Sequence, residues 1–83
     1  MAKLKRVLDT IPTGKGTITF RDFERALTAL GFRLDRTAGS HRIYLHPRVS
    51  RPISVQPLGK DAKPYQIRQL RDMIREFELT LDK

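Results

Sequence analysis

Apolar residues repeat along this chain with two different periods, and the switch between them outlines the expected elements. Phe20, Phe23, Leu27 and Leu30 recur at steps of three and four, so they form one stripe on a helix. Thr19 stands where a hydroxyl can cap that helix, with Asp22 three residues on in the first turn. Gly31 stands where a left-handed residue can end it. The period then falls to two: Phe32 and Leu34 alternate with Arg33 and Asp35, as in a half-buried strand, and "TAGS" supplies a turn. From His41 the alternation resumes. Ile43 and Leu45 are expected on the core side, with Arg42, Tyr44 and His46 opposite, until Pro47 stops the strand. "HPRVSRP" reads as a basic loop and "ISVQP" as a third short strand, with Ile53 and Val55 pointing the same way. After the loop "LGKDAK", Pro64 suits the first turn of a last helix with the core stripe Ile67, Leu70, Ile74, Phe77 and Leu81.

A shorter pattern precedes these elements. Leu4, Val7, Leu8 and Ile11 predict an N-terminal helix over 3–11, ended by Pro12 and the connector "PTGKGT". The GKGT there lacks the full GxxxxGK[ST] spacing and follows no apolar strand, so it reads as a connector rather than a phosphate loop. The order is helix, helix, three strands, helix, and a sheet with one apolar face must bury that face under helices. The expected architecture is therefore α+β, a three-stranded antiparallel sheet with helices on one face plus an extra N-terminal helix. At 83 residues it is expected to form a single domain, with 3–11 as an extension and 17–79 as the core.

Charge narrows the partner. The chain carries a formal +8 and a pI of about 10.6. Between Arg33 and Arg75 ten cations face only Asp35, Asp61 and Asp72. Such an excess attracts a polyanion before any specific contact forms, and the preference for arginine suits phosphate, which its planar fork grips at two points. Nucleic acid or an acidic protein is the expected partner. There is no cysteine, which excludes a disulfide framework and thiolate zinc sites. No apolar run approaches the roughly 20 residues that span a bilayer, and "MAKLKRVLDTIP" lacks an unbroken apolar stretch, so no membrane association and a cytoplasmic location are expected.

Candidate chemistry centres on histidine. His41 and His46 lie about 16 Å apart and on opposite sides of one strand, so they cannot share a metal, and the carboxylates are scattered. No metal or other cofactor is expected. An imidazole can instead act as general acid or base on a phosphodiester, with arginines stabilising the developing charge. His41 has the better setting, because Gly39 and Ser40 let a ligand approach the backbone closely. Tyr44 is expected to stack on a base from the open sheet face.

The run "LTALGFRLDRTAGSHRIYLHP", Leu27 to Pro47, resembles the HicA toxins of bacterial toxin–antitoxin pairs. It carries GF at Gly31 and Phe32, GSH at Gly39, Ser40 and His41, and an aromatic at Tyr44. The tail "KPYQIRQLRDMIREFEL" is similar to the last helix of a HicA subgroup, and the likeness runs from about Thr17 to Leu79. The resemblance implies a fold like the double-stranded RNA-binding domain, α-β-β-β-α. It also implies a metal-independent ribonuclease acting on mRNA, with His41 catalytic and a HicB-type antitoxin covering the site. Gly39 and Ser40 would support His41, while Arg36, Arg42, Tyr44, Lys60, Arg68 and Arg71 would contact RNA. Two departures stand out: the extension over 3–11, and "VQPLGKDAKPY" where many HicA chains carry a proline–histidine pair. Two other readings remain open on the residues, a non-catalytic RNA-binding module and an adaptor for an acidic protein.

Overall fold

A computed structural model describes residues 18–79. The expected helix over 3–11, the GKGT connector and Leu81 lie outside the described residues. Helix α1 (Phe20–Ala29) begins as its sequence predicts: the Thr19 hydroxyl accepts from the Asp22 N–H at 3.1 Å. It buries Phe20, Phe23, Ala26 and Leu27. Gly31 follows at φ +100°, and the Phe32 N–H folds back onto the Leu27 carbonyl at 2.9 Å.

Strands β1 (Arg33–Ala38), β2 (His41–His46) and β3 (Val49–Val55) pair antiparallel in the order β1-β2-β3. Two of the expected boundaries move. β1 runs through Thr37 and Ala38, so the first turn is only Gly39 and Ser40 between the paired Ala38 and His41. Gly39 sits there at φ +63°, as the first central residue of a two-residue hairpin requires. β3 starts at Val49, so most of the expected "HPRVSRP" loop is strand, and only Pro47 and Arg48 separate the pair His46 and Val49. Pro52 is tolerated because β3 is an edge strand. Within "PLGKDAK" a further small hairpin, β4 (Pro57–Leu58) and β5 (Asp61–Ala62), ties back to α1 through Phe20 N–H to Lys60 carbonyl and Ala62 N–H to Ile18 carbonyl bonds.

Helix α2 (Pro64–Phe77) starts on its proline and ends in left-handed Glu78. Its last turn is capped by Arg48, which donates to the Phe77 carbonyl at 3.2 Å. Ile67, Leu70 and Met73 are buried, with Ile74 and Phe77 packed beside them, so the expected stripe is right and Met73 widens it. The core joins Phe23, Leu27 and Phe32 to Ile53, Val55, Leu70 and Met73, each 2% exposed or less. Burying side chains of this size stabilises by about 1.5–3 kcal/mol apiece. The result is the two-layer α+β arrangement expected: a three-stranded antiparallel sheet flanked by helices.

Candidate active site

The central strand faces the other way from the expectation. Residues opposite each other in an antiparallel pair share a face. Tyr44 pairs with the fully buried Ile53 and Arg42 with the fully buried Val55, so Arg42, Tyr44 and His46 turn toward the helices. His41, Ile43 and Leu45 therefore occupy the open face, where Leu45 is 43% exposed. Three polar contacts explain the inversion. Tyr44 is 5% exposed, and its hydroxyl donates to Glu24 of α1 at 2.7 Å, which makes a buried phenol tolerable. Arg42 donates to both oxygens of the same carboxylate at 2.7 Å and lies 5.6 Å from the centre of the Phe20 ring. His46 packs edge-on to Phe32, accepts from the Arg48 N–H at Nδ1 (3.0 Å) and so donates from Nε2 to the Leu30 carbonyl (2.9 Å).

These contacts bear on two of the expected RNA contacts. Tyr44 offers no ring face to a base, because burial and the Glu24 carboxylate hold it inside as a phenol with its pKa pushed up. Arg42 pairs with Glu24, whose hydrogen bond and charge push its pKa higher still, while 46% of its side chain stays exposed. His46 is a structural residue with both ring nitrogens engaged. Leu34, expected in the core, is 50% exposed at the edge of the sheet, because the strand it belongs to has no neighbour beyond it among the described residues. Leu34 lines a cavity of about 550 Å³ with Arg21, Glu24, Arg25, Arg42 and Tyr44, on the helix side of the sheet and away from His41.

On the open face His41 stands at the end of the Gly39–Ser40 turn, where a Cβ added to Gly39 would meet no non-neighbouring atom within 4 Å. Its Nδ1 lies 3.2 Å from the hydroxyl of Ser54, which belongs to β3 and sits opposite Ile43. Its Nε2 has no hydrogen-bond partner among the described residues. Arg36 also pairs with Ile43, from the β1 side, and so shares this face, with its guanidinium 2.7 Å from Asp35. Lys60 is exposed in the turn between β4 and β5, Arg68 is exposed on α2, and Arg71 pairs with Asp72 at 3.2 Å; none hydrogen-bonds His41. Ser54 was missed in the sequence, since a serine in "ISVQP" carries no signal of its own.

A histidine with one ring nitrogen held and the other free, on an open and cationic face, suits proton transfer at a phosphodiester of an extended polymer. The family model for the HicA toxin of bacterial toxin–antitoxin systems matches residues 20–79, most of the chain. The chain belongs to the HicA toxin family. No curated protein and no solved structure matches it. In this HicA chain the matched segment begins at α1 and ends just after α2, so it contains every element that positions His41. No helix among the described residues is long and apolar enough to cross a membrane.

Proposed function

We propose that this HicA chain is a metal-independent mRNA endoribonuclease, acting in the cytoplasm as the toxin of a pair and restrained by a HicB-type antitoxin. The observation that carries the reading is the position of His41: on the open sheet face, Nδ1 held by Ser54 and Nε2 free. Nε2 takes the proton from a ribose 2′-hydroxyl as that oxygen attacks the neighbouring phosphorus. The bond from phosphorus to the 5′-oxygen breaks, the leaving oxygen gains a proton from solvent or from the imidazolium, and a cyclic phosphate remains. Arg36 shares the face and stabilises charge on the phosphate, Ser40 and Gly39 shape the turn, and Lys60, Arg68 and Arg71 draw in flanking phosphates. Ile43 and Leu45 give the same face an apolar strip that an antitoxin can cover.

The test is to incubate the purified protein and its His41→Ala variant with end-labelled mRNA in excess EDTA. Cutting by the wild type and a loss of about a hundredfold or more in the variant are expected. Equal cutting by both sinks the assignment of His41, and cutting that EDTA abolishes sinks the metal-independent mechanism. A second reading, a non-catalytic RNA-binding module, is favoured by one feature: no second acid or base is hydrogen-bonded to His41 among the described residues. It predicts salt-sensitive binding that Arg68→Ala and Arg71→Ala weaken, with no RNA cut by any variant.

A further inference from the structure

An imidazole beside a hairpin turn can swivel, and it can carry its neutral-state proton on either nitrogen. A histidine that accepts a proton at Nε2 therefore needs a partner at Nδ1. Here the partner is Ser54 Oγ at 3.2 Å, presented from the neighbouring strand on the same open face. The strand that presents it is itself held from the core side. Gln66 of α2 is 1% exposed, donates from Nε2 to the Ser54 carbonyl (3.2 Å) and accepts at Oε1 from the Gln56 N–H (3.1 Å). These two bonds straddle the fully buried Val55 and clamp the end of β3 to the helix. A buried amide is costly unless its groups are paired; Gln66 Nε2 also donates to the Tyr65 hydroxyl (3.3 Å), and its other two bonds go to the backbone on either side of Val55, next to Ser54.

We infer that Ser54 is the positioning residue for His41: its Oγ accepts from Nδ1–H, which keeps Nε2 unprotonated and aimed at the open face. Gln66 holds Ser54 in place from the other side of the sheet. The inference rests on reading His41 as the proton acceptor. A hydroxyl suits the task beside a phosphodiester, because it orients the ring without adding a negative charge that would repel the substrate.

Nitrogen NMR of the His41 ring, at a pH where imidazoles are neutral, tests this in the wild type, Ser54→Ala and Ser54→Thr. Cleavage kinetics on mRNA are measured alongside. The wild type is expected to hold its proton on Nδ1, and Ser54→Ala to populate both tautomers. The same alanine variant is expected to lose about three- to tenfold in kcat with KM unchanged, the loss of one ordinary hydrogen bond. Ser54→Thr, which keeps the hydroxyl, restores both readings. Identical tautomer populations in wild type and Ser54→Ala, or an Nε2-protonated ring in the wild type, overturn the inference. So does an alanine variant with an unchanged kcat. A tautomer shift in a protein that cuts no RNA supports the pairing and overturns the nuclease reading instead.

Discussion

Replacing Gly31 by alanine should destabilise this protein through a histidine fifteen positions away. Gly31 lies at φ +100°, and a Cβ built there would meet His46 Nε2 at 2.9 Å and Cδ2 at 3.3 Å. Two costs arise. A residue with a side chain resists positive φ by about 1–2 kcal/mol. The His46 ring must also give way, although it is fixed by the Leu30 carbonyl, the Arg48 N–H and the Phe32 ring. Losing one of those hydrogen bonds adds about 0.5–1.5 kcal/mol, for a total of roughly 2–3 kcal/mol. In a domain this size that lowers Tm by about 10–20 °C. Thermal and urea unfolding of Gly31→Ala should show it. The same substitution in a His46→Ala background separates the two costs: with the ring gone, only the backbone term of about 1–2 kcal/mol should remain. A change under about 0.5 kcal/mol in Gly31→Ala refutes the whole account, and an equal cost in both backgrounds refutes the steric part.

Two further substitutions probe how the sheet is held. Tyr44→Phe removes the donor to Glu24 and should cost about 1–2 kcal/mol in urea unfolding, less than a lone buried pair because Arg42 still satisfies the carboxylate. The pH dependence has a definite sign. The folded state keeps the Tyr44 proton while the unfolded chain begins to release it near 10.0, so this contribution is complete below that pH and is lost as pH rises above it. Tyr44→Phe should therefore narrow its deficit against the wild type in alkaline unfolding curves, and a constant deficit would contradict the burial. Gln66→Leu leaves the Ser54 carbonyl and the Gln56 N–H without their partner and should cost about 2–4 kcal/mol. Faster amide exchange at Gln56 is expected with it, and unchanged exchange would show that the clamp is not what holds β3.

Much of the fold was legible along the chain because its signals are local. The cap at Thr19, the glycine after α1, the proline that starts α2 and the two apolar stripes each involve residues within about three helical turns. The family was legible too, through the GSH run and its spacing from GF, and that run marks the candidate site. Other features were not. Six alternating residues from His41 to His46 state that two faces differ, yet not which is inside. Ile43 and Leu45 made the wrong side look apolar.

By itself the sequence determined most of the main elements, their order, the strong positive charge and the placing of a histidine beside a Gly–Ser turn. Tertiary structure decided the rest. Glu24, twenty positions before Tyr44, supplies the acceptor that lets Tyr44 and Arg42 face the helices. That choice turns His41 outward, and the register of β3 then sets Ser54, thirteen positions on, beside its Nδ1. The physical reason is that burial of a polar group is settled by whether a distant partner meets it, and such a meeting exists only once the chain has folded.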